Sequence, residues 1–223
     1  MKRIPEPDEL MDDPAQARAY AEADFSEPNN LFLDLFDRLH RRPFTGLALD
    51  LGCGPGDIPV ELVRRHPAAR VEALDGAPAM LDLARAKAAA RPELAERLSW
   101  RCDYLPCAAL APAGFDAVLS NSLLHHLADP LDLWRTVARC ARPGAAVLVM
   151  DLARPHSDTA VDVLVETHAL DAPEVLRRDF RNSLFAAYTP VEVSDQLAAA
   201  GLPALRVRMV SDRHLAVMGH WPR

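Results

Sequence analysis

A glycine-rich turn that follows an apolar strand containing one aspartate is the strongest chemical signal in this sequence. Residues 47–51 (LALDL) form an apolar run typical of a buried strand, and residues 52–56 (GCGPG) follow it directly. Glycines in such a turn let the backbone approach a ligand closely. A dinucleotide fingerprint would need a third glycine at position 57, but the chain has Asp57, which would repel a pyrophosphate. The turn therefore favours a ligand with a positively charged group beside Asp50.

Two further acids follow the next predicted strands, in positions suited to a nucleoside. Asp75 ends the strand predicted at 71–75, and Asp103 follows the strand predicted at 98–102. The carboxyl ends of parallel strands meet at one edge of a sheet, so Asp75 should lie beside the glycine turn and accept from both ribose hydroxyls. Asp103 could accept from an exocyclic amine. An ammonium, a ribose and an adenine together describe S-adenosylmethionine (SAM).

The elements that must position these acids alternate along the chain. Apolar strands are predicted at 47–51, 71–75, 98–102, 115–120 and 145–150, and helices at about 58–66, 78–90, 130–141 and 190–200. Continuous apolar strands followed by helices indicate a parallel sheet covered on both faces, a doubly wound α/β fold. Strands predicted at 205–209 and 214–219 are joined by too short a connection to be parallel, so they should pair antiparallel. Thr189 is the predicted N-cap of the helix that begins at Pro190.

These motifs, in this order, resemble those of the class I SAM-dependent methyltransferases. The similar segments are residues 47–56, 74–81, 102–103, 115–127 and 141–145, of which 115–127 looks like the fourth-strand motif of the small-molecule subgroup. The resemblance covers about residues 44–151 and, less specifically, 188–220. It implies a Rossmann-like, mostly parallel seven-stranded sheet with one antiparallel strand near the C-terminus. It also implies SAM as the methyl donor and S-adenosylhomocysteine (SAH) as the product.

The resemblance also assigns parts of the cofactor to particular residues. The residues predicted to contact SAM are Asp50, Gly52, Cys53, Gly54, Gly56, Asp75, Met80, Asp103 and Asn121. The glycine turn would surround the methionine part, Asp75 would bind the ribose, Met80 would lie against the adenine and Asp103 would accept from its amine. Met80 is equally consistent with an ordinary helix core position, and Asp50 with a cap at the strand end.

Methyl transfer needs mainly an in-line nucleophile held close to the methyl group and shielded from water. Asn121 leaves the fourth strand near the expected sulfonium and is predicted to be a polar contact there. His125 or His126 could accept a proton from a hydroxyl, thiol or amine near neutral pH. The alternative is that these histidines only pack and hydrogen-bond locally.

Two segments lie outside the alternation and are predicted to cover the site. Residues 1–43 are predicted to be an N-terminal helical cap of one or two helices, ahead of a SAM-binding domain at 44–223. That domain carries a lid insertion at about 152–189, which includes a helix. The predicted substrate contacts are Tyr20, Asp24, Phe25, Arg178 and Asn182. The alternatives are that the two aromatic residues anchor a helix and that the polar residues form a solvated face.

Composition limits the remaining function classes. The chain has 223 residues and a net charge of −7, which disfavours nucleic acid as a partner. Four basic residues near the C-terminus, Arg206, Arg208, Arg213 and Arg223, keep an RNA methyltransferase as an alternative, beside a SAM-binding protein with other chemistry or an oxidoreductase. The cysteine and histidine spacings predict no metal site and no disulfide. With no apolar window long enough to cross a bilayer and no secretory leader pattern, we expect a cytoplasmic monomer or homodimer with a small-molecule substrate.

Overall fold

One seven-stranded sheet organises the chain. The computed structural model describes residues 1–6, 10–40 and 43–222. Within these ranges the strands are β1 Leu47–Leu51, β2 Arg70–Asp75, β3 Leu98–Cys102, β4 Phe115–Asn121, β5 Ala141–Leu152, β6 Arg206–Met209 and β7 His214–His220. Their order across the sheet is β3-β2-β1-β4-β5-β7-β6. Every pairing is parallel except those of β7, which runs antiparallel to β5 and β6. The predicted fold class is confirmed.

The helices connect the strands and continue into the two covering segments. They are α1 Pro14–Glu22, α2 Ser26–His40, α3 Asp57–Arg65, α4 Pro78–Ala89, α5 Pro92–Ala95, α6 Leu131–Cys140, α7 Asp158–His168, α8 Glu174–Ala186 and α9 Pro190–Ala199. The predicted cap thus contains two helices, and the insertion contains α7 and α8. Residues 7–9, 41 and 42 of the predicted cap, and Arg223 of the basic group, lie outside the described residues.

Apolar side chains cover both faces of the sheet, as the strand patterns predict. On one face Leu49 and Leu51 of β1 pack in a core that includes Trp134 of α6. On the other face Ala48 packs in a core that includes Phe36 of α2. Neighbouring residues of one strand thus enter opposite cores, because side chains alternate along a strand. The carboxyl ends of the parallel strands lie together at one edge of the sheet, between the two apolar cores.

The start of β5 differs from the sequence prediction. The helix predicted at about 130–141 and the strand predicted at 145–150 leave residues 142–144 as a connecting turn, but β5 already begins at Ala141, directly after α6. Its pairing with β4 shifts register between Phe115 and Ala117, and Gly144 has a φ of 83°. A glycine tolerates this left-handed conformation, so the strand can continue through an irregularity.

Thr189 caps α9, as its position before Pro190 predicts. Its Oγ1 accepts the Glu192 N–H at 3.3 Å, and Glu192 Oε2 accepts the Thr189 N–H at 2.7 Å. Thr189→Ala should therefore destabilise the protein by about 1 kcal/mol, which lowers the Tm by about 2–4 °C in a chain of this size. Circular dichroism melting measures the change. Thr189→Ser keeps the hydroxyl and is the control; equal Tm values for all three proteins would contradict the capping role.

Candidate functional site

A cavity of about 1480 Å³ lies at the carboxyl edge of the sheet. The glycine turn and the ends of β2 and β4 contribute to its wall, and α1, α8 and the loop before α8 contribute further lining residues. Pockets for one drug-sized ligand usually measure about 300–1,000 Å³. This cavity therefore has room for two small molecules side by side.

Asp50 is a buried carboxylate that faces this cavity without a partner. Its side chain comes from β1, the residue is 1% exposed, and neither carboxylate oxygen has a hydrogen-bond partner among the described residues. Burial, together with the nearby Asp75 carboxylate, raises the pKa of Asp50 to about 8. An unpaired buried charge is costly, so a cationic ligand group at this position would be strongly favoured. The ammonium of SAM fits that requirement.

The glycine turn exposes backbone to the cavity at two of its predicted contact positions. Gly52 and Gly54 have φ values of 72° and 52°, and both line the cavity with Cys53. A Cβ added at Gly54 would meet nothing within 4 Å, so the space above this residue is open. This open surface beside Asp50 fits the methionine part of SAM.

Gly56 has a different position from the one that the sequence indicates. It does not line the cavity; it precedes α3 with a φ of 83°. A Cβ added here would lie 2.9 Å from both Ala84 Cβ and Trp100 Cη2. Gly56 therefore lets the backbone pack closely against α4 and β3. Its position away from the cavity does not support the predicted contact with the cofactor.

The Asp75 side chain links the end of β2 to the glycine turn through a hydrogen bond. Its Oδ2 accepts the Gly54 N–H at 2.7 Å and its Oδ1 accepts the Ala77 N–H at 2.8 Å. Burial raises the pKa of Asp75, and these two backbone N–H groups act against that rise. Each carboxylate oxygen keeps a second lone pair, so the side chain can still accept from ribose hydroxyls.

Met80 and Asp103 line the part of the cavity where the adenine is predicted. Met80 is 4% exposed and packs with Ala17 and Ala77, so it is both a core residue and a wall residue. Asp103 accepts from the Cys107 thiol at 3.0 Å and from the Tyr104 N–H at 2.8 Å, and these bonds lower the pKa of Asp103. Its role toward an adenine amine stays a prediction.

The end of β4 brings Asn121 and the two histidines to the opposite part of the cavity. The Asn121 Nδ2 lies 3.4 Å from Asn29 Oδ1, and its own Oδ1 is buried without a partner among the described residues. His125 is 3% exposed, and its Nδ1 lies 2.6 Å from Asp151 Oδ1. Burial disfavours charge on His125, but the Asp151 carboxylate outweighs it and raises the pKa of the imidazole. The Asp151 carboxylate therefore favours the protonated form of His125 over its neutral form.

His126 has a separate carboxylate partner that the sequence did not indicate. Its Nδ1 lies 2.5 Å from Glu6 Oε2, and its ring centroid is 4.0 Å from that of His125. Glu6 lies in a stretch before the first predicted helix, where no local pattern marks it as a site residue.

Glu6, His125 and His126 also form a candidate metal-binding group, since their ligand atoms lie within 4.8 Å of one another. However, the two rings stack with an interplanar angle of 36°, and Asp151 already engages Nδ1 of His125. Stacked imidazoles direct their in-plane lone pairs along similar lines rather than toward one point. We therefore interpret these three side chains as proton-binding groups.

The predicted substrate contacts divide into two groups. Tyr20, Asp24 and Phe25 line the cavity, with the two aromatic ring centroids 4.6 Å apart. Burial, with help from nearby acids, raises the pKa of Tyr20 to about 12, so its hydroxyl stays neutral.

Arg178 and Asn182 do not line the cavity, contrary to the sequence prediction. The residues of α8 that do are Leu176, Asp179, Phe180 and Ser183. These four positions form one helical face, and Arg178 and Asn182 lie on the neighbouring one. Gln16 Nε2 of α1 donates to Asp179 Oδ2 at 2.7 Å, which joins the two covering helices across the cavity.

His214 is a cavity residue that the sequence analysis missed. Because β7 is antiparallel to β5, its first residue pairs with Leu152 and lies at the carboxyl edge of the parallel strands. Burial and the neighbouring Arg213 lower the pKa of His214 to about 4, so this ring is neutral. Ser211 Oγ accepts the backbone N–H groups of both residues and lies 2.9 Å from His214 Nδ1.

Comparison with known proteins gives one family match. Residues 48–144 match the model of a family described as a methyltransferase domain. Among curated relatives, a ubiquinone biosynthesis O-methyltransferase of Methylocella silvestris is 31% identical over 169 residues, which cover 75% of this chain and 62% of the relative. This chain thus spans less than two thirds of that relative's length.

Another relative and a solved structure extend the similarity over more of the chain. A ubiquinone biosynthesis O-methyltransferase of Dinoroseobacter shibae is 30% identical over 191 residues, covering 78% of this chain and 72% of the relative. A SAM-dependent methyltransferase from Aquifex aeolicus superposes with a TM-score of 0.67 at 19% identity, covering 93% of this chain and 98% of that one. Among the described residues, no helix is both long and apolar enough to cross a bilayer.

Proposed function

This chain belongs to the class I SAM-dependent methyltransferases, and from that premise we propose that it methylates a small molecule bound beneath α1 and α8. The observation that carries the proposal is the unpartnered, buried Asp50 carboxylate beside the open surface of Gly54. The ammonium of SAM explains why the folded protein would keep there a buried carboxyl group without a partner among the described residues. The remaining volume of the cavity leaves room for an acceptor.

The chain's own residues would hold SAM along one wall of the cavity. Asp50 would accept from the ammonium, the backbone of the glycine turn would surround the methionine part, Asp75 would accept from the ribose, and Met80 with Asp103 would border the adenine. SAM supplies a methyl group on a sulfonium, which leaves as a neutral thioether. The protein then has to align the acceptor and keep water out, which the covering helices do by closing the cavity from above.

The charges of the cavity favour a neutral or cationic acceptor over a polyanion. Apart from Asp50, Asp75 and Asp103, the acidic side chains that line it are Asp12, Asp13, Glu22, Asp24, Glu27, Asp57, Asp171 and Asp179. Arg213 also lines it, but its guanidinium is 3.1 Å from Glu27 and 3.0 Å from Asp212. An anionic acceptor would have to compete with those carboxylates. An acceptor oxygen, nitrogen or sulfur is compatible with this arrangement.

The same charges count against the RNA methyltransferase alternative. Of the four arginines that suggested a basic patch, Arg213 lies at the cavity and is already ion-paired, while Arg206 and Arg208 lie on β6, the outermost strand of the sheet. A phosphate backbone entering the cavity would meet mainly acids.

Calorimetry and a transfer assay together test the proposal. We expect SAH and SAM to bind with one site per chain, and labelled SAM to methylate some members of a panel of phenols, alcohols, thiols and primary amines. Absence of SAH binding would overturn the proposal. Label transferred to bulk tRNA, with none to the panel, would favour the RNA alternative, and SAM consumption without a methylated product would favour other chemistry.

A further inference from the structure

We infer that Glu6 is a positioning residue that holds the proton of His126 on Nδ1, so that Nε2 presents a lone pair to the acceptor in the cavity. The inference rests on the proposed function for the identity of the reaction, whereas the contact between Glu6 and His126 is observed in the structure itself. It separates the two histidines, which sequence analysis left as equal candidates.

Residues 1–6, here termed the N-terminal strap, are fixed against the end of α8. The Ile4 N–H donates to the Phe185 carbonyl at 3.0 Å. Arg3 donates from Nε to the Ala186 carbonyl at 2.5 Å and from Nη2 to the His125 carbonyl at 2.9 Å. Its guanidinium also lies over the Tyr188 ring, 4.2 Å from the centroid. The strap is therefore held on several sides next to the two histidines.

Within the strap, the Glu6 carboxylate has its two oxygens assigned to different partners. Ser183 Oγ donates to Oε1 at 2.6 Å, and Oε2 lies 2.5 Å from His126 Nδ1. Burial alone would raise the pKa of Glu6, but the two histidines and Ser183 outweigh it and lower that pKa. Glu6 is thus an anion whose Oε2 faces Nδ1 of His126. A carboxylate in that position favours a proton on Nδ1.

The surroundings of the two rings make His126 the one suited to accept a proton. His125 is 3% exposed and its Nδ1 lies 2.6 Å from Asp151 Oδ1, so its ring is engaged in a buried pair. The His126 side chain is 23% exposed and lines the cavity. The charged groups that face it are Glu6, the stacked His125 and, at longer range, Asp75. A base oriented by a carboxylate on its other nitrogen is the arrangement that activates nucleophiles in many enzymes.

The proposed step balances with SAM as the co-substrate. The acceptor heteroatom uses its lone pair to form the bond to the methyl carbon, and the bond between that carbon and sulfur breaks with its electron pair left on sulfur. The proton of the acceptor moves to His126 Nε2. The resulting imidazolium is stabilised by Glu6 across Nδ1.

Nitrogen-15 NMR of the histidine side chains tests the assignment without any acceptor. At a pH of about 9, well above the ordinary imidazole pKa, wild-type His126 should show a protonated Nδ1 and a bare Nε2. Glu6→Gln keeps an oxygen for Ser183 but directs an amide donor at Nδ1, so the proton should move to Nε2. His125 should be unchanged and is the internal control. A wild-type His126 protonated on Nε2, or no change in the variant, would overturn the inference.

Kinetics with the best substrate of the acceptor panel give a second readout. Glu6→Gln should lower kcat by about 30-fold, within the usual range for general-base catalysis, with an unchanged KM for SAM and unchanged SAH binding. Glu166→Gln removes the same charge from an exposed position on α7 and is the matched control. An unchanged kcat in Glu6→Gln would overturn the catalytic part of the inference. If no panel member reacts, the proposed function fails while the NMR result still decides the role of Glu6.

Discussion

Asp50→Asn should weaken SAH binding by about 100-fold while it stabilises the ligand-free protein. The carboxyl group is buried and has no partner among the described residues, so it gains one only when a ligand ammonium arrives. Removing one member of a buried ion pair typically costs about 3 kcal/mol or more. SAH is the better ligand for this measurement than SAM, because it carries the ammonium but no sulfonium charge.

The stability of the wild-type protein relative to Asp50→Asn should depend on pH. The pKa of Asp50 rises from an ordinary 3.8 to about 8 in the folded protein, so folded Asp50 keeps a proton that the unfolded chain releases. This contribution to stability is fully present below pH 4 and is lost as the pH rises toward 8. The Tm of the wild type should therefore fall relative to that of Asp50→Asn across this window.

Proton release on binding gives an independent check on Asp50. Near pH 7 the free protein holds a proton on this carboxyl, and the arriving ammonium should expel it, so the measured binding enthalpy should vary with the ionisation enthalpy of the buffer. That variation should disappear in Asp50→Asn and persist in Asp195→Asn, a change at an exposed position on α9. Wild-type SAH affinity in Asp50→Asn would contradict the assignment of the ammonium to this residue.

Asp75→Asn should lower SAH affinity by about 1000-fold and also destabilise the ligand-free protein. The carboxylate accepts the N–H groups of Gly54 and Ala77, one on each oxygen. An asparagine has one oxygen, so its amide group must face one of these donors, at a cost of about 2 kcal/mol. The ribose would lose charge-assisted hydrogen bonds worth about 1.5–3 kcal/mol each, and the glycine turn would lose its anchor.

The two variants are therefore distinguished by stability rather than by binding. Both should lose affinity for SAH in calorimetry, but thermal melting of the free proteins should raise the Tm for Asp50→Asn and lower it for Asp75→Asn. A lowered Tm with retained SAH affinity in Asp75→Asn would mean that the residue only supports the turn. This result would remove it from the ribose assignment.

The predicted site residues that the structure brings together at the cavity include those formed within one strand and its following turn. Asp50, Gly54 and Asp75 were recognisable because each lies at or just after the end of a predicted parallel strand, and the ends of parallel strands share an edge. Their joint position at the cavity follows from local patterns alone.

The residues for which sequence and structure give different positions depend on contacts between distant segments. Glu6 reaches His126 through a strap fixed on α8, and no periodicity predicts that path. Arg178 and Asn182 were chosen for their chemistry, but the rotation of α8 about its axis sets which face meets the cavity. Gly56 looked like its neighbours in the turn, whereas its packing against Trp100 could not be known before β3 and α4 were placed.

The position of β6 at the end of the sheet has a consequence for how molecules of this protein meet one another. Among the described residues this strand pairs with β7 alone, so its other backbone edge is available to an incoming strand. Arg206 and Arg208 are both exposed along it, with partly buried Val207 between them. Charged side chains on an open edge hinder the addition of a further strand. The arginines that first suggested an RNA patch thus act as a barrier to edge-to-edge aggregation.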